Sequence, residues 1–444
     1  MTNVHARFVT GNIMRHVSVM TFTGALGLMA VFLVDLADLF FLSLLGKTEV
    51  TAAIGYAGTL AFANLSLSLG TGIASAALVS RNLGARRPER ARELATSSLI
   101  YSLAISILLT IVLALSADAL LRLLGAQGEA LHQAKLFIWT VSPGFVFLAG
   151  AVSCSFAMRG IGDARRAMYV TLSGAMVTLA LDPIFIFVLG WDIQGAAVAN
   201  VIADLVSFLV GLNGLARIHQ FLAPIRWEGL RRDFSEISTI AVPAMLTQLA
   251  TPFGNAFITR AIAPFGDEAV SGWAIIGRLI PVAFGIIFSL SGSVGPIIGQ
   301  NFGAREFGRV RRTLNDGLIF ASLYTGATSL LLFIFRHQIA ELFQASGQTR
   351  HLIVFFCTFI AASWAFAGAQ FVANAAFNNL GYPNTSTVFN WAKATVGTIP
   401  FALYGAAAGG PEGVLVGTAI GSLVFGLAST LWAYRIAMLI ERRG

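Results

Sequence analysis

The sequence predicts an all-α polytopic membrane protein, with twelve transmembrane helices in two parallel six-helix bundles related by a pseudo-two-fold axis along the membrane normal. Three observations predict this fold class. Of the 444 residues, 56% are hydrophobic and only 11% are charged. Apolar runs of about 20 residues, the length that crosses a hydrocarbon core of ~30 Å, recur along the chain. The third observation is an internal repeat that divides the sequence into two similar halves.

The repeat has an almost constant register. RNLGAR at 81–86 returns as QNFGAR at 300–305, an offset of 219 residues. Gly162 in RGIGDAR and Gly381 in NNLGYPN show the same offset. Two homologous lobes of this kind are a common construction of membrane transporters. A looser match relates the prolines at Pro183 and Pro400.

Each copy has room for six helices, and an even number keeps both copies in the same orientation. The predicted domains are an N-lobe at 1–216, a basic amphipathic linker on the cytoplasmic face at 217–235, and a C-lobe at 236–444. The spans are expected near 18–45, 53–80, 94–118, 135–157, 167–190, 194–216, 236–262, 270–298, 314–336, 351–377, 386–407 and 412–438.

Basic residues predict the orientation. Of the 29 Lys and Arg residues, 21 fall in one alternating set of connections and termini, six fall in the other set, and two lie within spans. Under the positive-inside rule, both termini are cytoplasmic and the protein is a multi-pass protein of the inner membrane. This topology also accounts for the net charge of +8, so nucleic acid is not an expected partner.

Enzymatic chemistry is not expected. The six histidines lie at span ends or in connections without metal-ligand spacing, and no nucleophile and base converge in one segment. The short connections leave no room for a soluble catalytic domain. We therefore expect no cofactor and no metal, an ion gradient as the energy source, and a monomer whose only standing partner is the lipid bilayer.

The first predicted helix carries two acids, Asp35 and Asp38, in VFLVDLADLFFLSLLG. Their spacing places them on roughly one helical face. Acids inside a membrane are costly and are functional candidates by default. Two carboxyl groups that close in an apolar setting do not both ionise readily, which suits reversible protonation. The alternative is that one acid only pairs locally.

The fifth predicted helix adds Asp182, directly before Pro183. Proline removes a backbone donor and frees a carbonyl one turn back, and an acid beside such a break is a candidate ion or proton site. The alternative is a kink with a structurally satisfied acid. Thr178 lies one turn earlier, and Asn200 and Asp204 on the sixth helix are spaced to complete a polar cluster.

The second lobe has no Asp or Glu in the centres of most of its helices and offers amides, two cations and aromatic rings instead. The cations pair with helix-end carbonyls or amides, or they bind substrate. Aromatic rings near a cleft can hold flat or cationic ligands. The substrate candidates are Gln248, Asn255, Trp273, Arg278, Asn374, Asn378 and Lys393.

Several segments resemble the multidrug and toxic compound extrusion (MATE) transporters. DLFFLSLLG at 38–46 is similar to the family's first-helix signature, an Asp eight residues before a Gly. GTGIASAALVSRNLGARRPERA at 70–91 resembles the second helix and the basic connection after it. Further resemblance lies in RGIGDARRAMYV at 159–170, LDPIFIFVLGWDIQGAAVAN at 181–200 and SVGPIIGQNFGAR at 293–305.

The resemblance implies antiport of organic cations or other amphipathic compounds against protons or sodium, and the chain looks like the DinF-like branch. There the coupling acids correspond to Asp38 and Asp182. Thr178 stands where the family usually has Asn, and Asn200 where it usually has Thr. Asp35 is an extra acid that the family pattern does not require.

The sequence thus favours a proton-coupled multidrug exporter. Sodium bound at Asp38 and Asp182 is the alternative coupling, because the residues alone do not separate a shared proton from a coordinated sodium ion. A flippase for lipids or lipid-linked oligosaccharides is less favoured. It should line its cleft with several cations for pyrophosphate, whereas only Arg278 and Lys393 lie within spans.

Overall fold

The computed structural model describes residues 5–43 and 48–442, and the side chains at 35, 39, 40, 42, 43, 48–52 and 63 lie outside the description. Within those residues every regular element is helical, which confirms the all-α prediction. The helices are α1 (Ile13–Ser43), α2 (Thr48–Gly84), α3 (Pro88–Leu123), α4 (Gly128–Ile161), α5 (Ala164–Pro183), α6 (Asp192–Asn213), α7 (Trp227–Ile262), α8 (Asp267–Gly303), α9 (Phe307–Ile334), α10 (Arg336–Leu342), α11 (Gly347–Phe355), α12 (Trp364–Leu380), α13 (Pro383–Ala394) and α14 (Ile399–Glu441).

The helices account for the twelve predicted spans. Ten helical stretches of the described chain are long and apolar enough to cross a membrane. One of them, Pro383–Glu441, covers 59 residues and contains a break at Gly409 and Gly410, so it holds the last two predicted spans. α7 covers the position of the remaining predicted span but falls short of that apolarity, because Gln248, Asn255 and Arg260 interrupt its second half.

The repeat is visible in the backbone conformation as well as in the amino-acid sequence. Gly162 ends α4 with φ 95°, and Gly381 ends α12 with φ 92°. Arg86 and Arg305, 219 residues apart, both adopt the left-handed region, with φ 58° and 62°. A positive φ is uncommon for a side chain other than glycine. Its recurrence at matching positions shows that both copies use the same turn.

The paired prolines break their helices in different ways. Pro183 ends α5, and a π-helical turn at Ile184–Val188 continues the chain. Pro400 lies in the first turn of α14, after α13 has ended at Ala394. A proline in a first turn costs no hydrogen bond, whereas a proline inside a helix removes one. The irregular backbone next to an acid is therefore a property of the first copy.

Contacts between Cα atoms divide the chain into two compact units. The N-terminal unit comprises Met1–Ala6 and Leu26–Met245, and the C-terminal unit comprises Arg7–Ala25 and Leu246–Gly444. Residues 217–235, predicted to be a linker, contain a non-helical stretch at 220–226 and the first turns of α7. The proposed lobe boundaries at 216 and 236 stay a prediction.

A buried acid in the connection before α5 fixes this part of the N-terminal unit. The Asp163 side chain caps α5 by accepting a hydrogen bond from the Arg166 backbone N–H at 3.1 Å. It also pairs with the Arg166 guanidinium and, at 2.9 Å, with His219 Nε2. Burial raises the pKa of Asp163, but the hydrogen bonds with His219 and Arg166 outweigh it and hold that pKa well below its usual range.

We predict that Asp163→Asn lowers the thermal midpoint of the detergent-solubilised protein at neutral pH by about 2–4 °C, since the amide keeps the cap but loses the charged contacts with Arg166 and His219, worth about 1 kcal/mol. A depressed carboxyl pKa contributes stability above the unfolded pKa of about 3.9, and this stability is lost as pH falls through the folded pKa. The gap between wild type and variant should therefore narrow below about pH 4.

The matched control for this prediction is Glu129→Gln, which neutralises an exposed acid in the first turn of α4. Differential scanning fluorimetry from pH 3 to pH 8, a range that spans the reference carboxyl pKa values of about 4, is the measurement. A gap that stays constant across this range would show that Asp163 acts by packing and not by its charge.

Candidate functional site

The central feature of the N-terminal unit is a contact between two acids, Asp38 on α1 and Asp182 on α5. Their carboxyl groups lie within hydrogen-bonding range of each other. Asp182 is fully buried, and both of its oxygens lack any hydrogen-bond donor among the described residues, as does Oδ1 of Asp38. Buried carboxylates normally receive donors or cations. Three of the four carboxyl oxygens of the pair are therefore buried acceptors without a donor among the described residues.

Helix packing brings the two acids together. α1 and α5 approach closely at Gly27, where a Cβ atom would lie 2.1 Å from Thr171 Oγ1. Asp38 lies eleven residues after Gly27, and Asp182 lies eleven residues after Thr171. Eleven residues are three turns, about 16 Å along a helix, so two helices in contact at the first pair meet again at the second if they run side by side.

Apart from Asp35 on α1, the remaining N-terminal candidates lie on α5 and α6. Thr178 is buried one turn before Asp182. Asn200 and Asp204 are partly buried on α6. Asp204 faces α4, since a Cβ atom on Gly144 would lie 3.1 Å from its Oδ2. The side chain of Asp35 lies outside the described residues.

A second polar cluster in the same unit escaped the sequence reasoning. Asn64 is fully buried, donates to the Phe145 carbonyl at 3.4 Å, and accepts from Ser106 Oγ at 3.1 Å. Ser102 donates to the Ala149 carbonyl at 3.1 Å. Together these bonds connect α2, α3 and α4 through side chains. Ser and Asn are common in apolar helices, so their convergence had no signal in one sequence.

The C-terminal unit holds an amide cluster with a nearby cation. Asn374 and Asn378 on α12 are buried, and Asn390 on α13 donates to Asn374 Oδ1 at 3.0 Å. Lys393 lies one turn after Asn390, in the last turn of α13. Its ammonium makes no ion pair with the described residues. A cation at a helix C-terminus also interacts favourably with the helix dipole.

The other predicted residues of this unit are spread over α7 and α8. Trp273 Nε1 donates to Thr259 Oγ1 at 3.0 Å, which joins these two helices. Arg278 and Asn255 are exposed side chains, and Gln248 is partly buried. Asn374 is therefore linked through Asn390 to the turn of α13 that carries Lys393. Among the described residues, Gln248, Asn255, Trp273 and Arg278 do not form one cluster.

This is a helical membrane protein with two parallel repeats, and one repeat carries a pair of acids whose buried oxygens lack donors. Such a construction is that of a secondary transporter. The MatE family model matches residues 25–184 and 243–403, one segment in each repeat. The chain belongs to the MatE family of multidrug and toxic compound extrusion transporters. This membership confirms the family suggested by the sequence.

Relatives of known description cover almost the whole chain. A FAD transporter of Shewanella oneidensis is 28% identical over 94% of this chain and 93% of its own length. The multidrug export protein MepA of Staphylococcus aureus is 26% identical over 90% of this chain and 85% of its own length. Both relatives are described as transporters.

Solved structures confirm the fold class. The crystal structure of the Vibrio cholerae MATE transporter VcmN in the bent form has a TM-score of 0.91. It is 24% identical and covers 96% of this chain and 98% of that one. A MATE transporter in the straight conformation has a TM-score of 0.92 at 23% identity, with full coverage of both chains. The two pseudo-symmetric helical bundles are thus those of the family.

We predict that Asp182→Asn raises the thermal midpoint of the solubilised protein at neutral pH by about 2 °C or more. An asparagine amide supplies a donor that Asp38 lacks and removes a buried charge, and buried acceptors without donors are costly. Scanning fluorimetry of the two variants Asp182→Asn and Asp163→Asn side by side is the measurement. The reverse result, a large fall for Asp182→Asn, would mean that a partner holds this carboxylate.

Proposed function

We propose that this protein exports small amphipathic or cationic compounds in exchange for protons, by alternating access. Three features support the proposal: membership of the MatE family, the similarity to MepA, and the pair Asp38 and Asp182. The pair carries it, because it is the place in the described bundle where two acids meet without a donor.

A shared proton suits this geometry. Two carboxylates in contact repel each other in an apolar setting, and one proton between them converts repulsion into a hydrogen bond. In the proposed cycle, protons enter from the outside and neutralise Asp38 and Asp182. The site then loses its attraction for a cationic substrate, which leaves outward. Deprotonation towards the cytoplasm restores the charge, and a new substrate binds.

Proton release in reconstituted vesicles tests this proposal. When ethidium is added to vesicles that contain the protein and a trapped pH-sensitive dye, the pH-sensitive dye should report proton movement in the direction opposite to that of ethidium. The signal should be equal with and without sodium. Asp38→Asn and Asp182→Asn should reduce the signal to that of protein-free vesicles, because an amide does not bind a transferable proton. Asp35→Asn tests the neighbouring acid in the same assay.

Glu129→Gln is the matched control and should keep the full proton signal. A signal that requires sodium and moves no protons would establish sodium coupling at Asp38 and Asp182. Full coupled transport in both asparagine variants would place the coupling site elsewhere in the chain.

We further propose that the protein lies in the inner membrane as a monomer, with both termini cytoplasmic and no bound cofactor. The distribution of Lys and Arg supports this orientation. Basic stretches at 81–92 and 305–312 then face the cytoplasm together, as expected for connections at matching positions of two parallel copies.

FAD export is the second candidate function. The similarity to the Shewanella oneidensis FAD transporter extends over nearly both whole chains. Lys393 also lies one turn after Asn390 on α13, and its ammonium makes no ion pair with the described acids. An ammonium without an ion pair suits a phosphate group, and Trp391 and Phe253, 5.5 Å apart, offer aromatic surface for a flat ring system.

Flavin release from cells that overproduce the protein tests this second function. If FAD is a substrate, Lys393→Gln should raise the KM for FAD by about tenfold, the effect of losing one charged hydrogen bond. Lys393→Arg should retain most of the export. Arg350→Gln, which removes an exposed cation paired with Glu341, is the control. Unchanged extracellular FAD with active ethidium export would exclude FAD as the substrate.

A further inference from the structure

Corresponding arginines in the two repeats hold corresponding parts of the chain. Arg90 follows RNLGAR in the first copy, and Arg309 follows QNFGAR in the second, again 219 residues apart. Each binds the beginning of a first helix that belongs to the other repeat. Arg90 binds the start of α7, and Arg309 binds the segment that leads into α1.

The contacts of Arg90 form what we term the α7 anchor: Arg90, Ser97, Asp233 and Glu236. Arg90 Nη1 lies 2.6 Å from Asp233 Oδ1, and Nη2 lies 2.6 Å from Glu236 Oε2. Ser97 Oγ donates to Asp233 Oδ2 at 2.6 Å. Asp233 is fully buried, and Arg232 Nε lies 3.1 Å from the same Oδ1, so removing Arg90 leaves a buried carboxylate with only the more exposed of its two cations. The anchor therefore fixes α7 firmly to α3.

The contacts of Arg309 form the α1 anchor: Arg309, Phe8, Thr10, Gly11 and Asn301. The Arg309 guanidinium donates to the carbonyls of Phe8 at 2.8 Å and of Thr10 and Gly11 at 3.1 Å. Its Nε donates to Asn301 Oδ1 at 2.9 Å, and Asn301 Nδ2 donates to the Phe8 carbonyl at 3.2 Å. One guanidinium thus gathers three carbonyls of a non-helical turn, a task suited to its planar fork.

The two anchors hold equivalent segments of the two repeats, and each segment belongs to the compact unit of the other repeat. The C-terminal unit takes Arg7–Ala25, which includes the first half of α1, and the N-terminal unit continues to Met245, within α7. Adding 219 to residues 7–25 gives residues 226–244. Each unit therefore contains the first half of the helix that opens the other repeat. α1 and α7 are each continuous and belong to both units.

From this exchange we infer that Arg90 and Arg309 are positioning residues of transport, which hold the first halves of α7 and α1 on the exchanged unit throughout the cycle. Any movement of one unit then acts directly on a helix of the other repeat. For α1, that helix also carries Asp38. Without the anchors, the first halves separate from their units, and movement no longer reaches the second halves.

Hydrogen exchange of the full-length protein in detergent tests the anchoring without any substrate. Arg309→Gln should speed amide exchange in residues 8–25 about tenfold and leave 227–245 unchanged, because loss of anchoring promotes local opening. Arg90→Gln should do the reverse. Arg122→Gln is the control, since Arg122 pairs within its own helix with the partly exposed Asp118. Equal exchange in all variants, or a change spread over the whole chain, would overturn the assignment.

A reversible covalent anchor tests the role in transport. Ser97→Cys and Asp233→Cys are combined in a background in which Cys154 and Cys357, both buried, are replaced by Ala. A short bis-methanethiosulfonate spacer joins the two thiols, and a reductant releases it. Transport of ethidium or FAD, whichever the background variant exports, should fall about tenfold without the spacer, in line with the loss of a buried ion pair. The spacer should restore it.

The bridged and unbridged forms give opposite results for the rival explanations. If the double-cysteine variant without the spacer transports as fast as the protein in which only Cys154 and Cys357 are replaced, the α7 anchor is dispensable. A folded, bridged protein that stays slow would show that the anchor must open or that the Asp233 carboxylate itself is required. Arg90→Lys, which keeps the charge but not the fork, separates these two: transport faster than in the background protein means that the anchor must open, and unchanged transport means that the carboxylate itself is required. Each result is independent of whether protons or sodium drive export.

Discussion

The need to satisfy every backbone polar group inside the hydrocarbon layer governs this structure. Within a bilayer, unpaired N–H and C=O groups are so costly that a spanning chain adopts helices or a closed barrel. The long apolar runs meet this demand as helices, and breaks occur at prolines and glycines such as Pro183 and Gly410 and also at Phe284. The same constraint makes the buried acids functional candidates, because an apolar bundle does not tolerate a charge without compensation.

The two repeats divide their tasks. Shared turns, with the same left-handed backbone at Gly162 and Gly381, give both copies one scaffold. The first copy adds the acid pair Asp38 and Asp182, and the second offers amides and Lys393. Arg90 and Arg309 are shared in position but differ in what they bind, carboxylates in one copy and carbonyls in the other. The two copies therefore share their backbone turns and differ in the polar side chains that they carry.

Much of the fold could be predicted because hydropathy acts over single helices and the repeat is written in the sequence. The twelve spans, the glycine turns and the family follow from these local signals. The site was predicted only in part. Asp38 and Asp182 stood out because acids in apolar runs are rare. The cluster of Asn64, Ser102 and Ser106 did not, since hydroxyl and amide side chains bond to carbonyls of neighbouring helices that no spacing reveals.

The sequence by itself determined that this is an all-helical membrane protein of two parallel copies, because helix formation in lipid depends on apolar length alone. Only the tertiary structure decided which distant residues meet. Gly27 against Thr171 brings Asp38 to Asp182, and Asp233 reaches Arg90 across 143 residues of chain. Such contacts depend on which helix faces pack together, and that choice is made by the whole bundle.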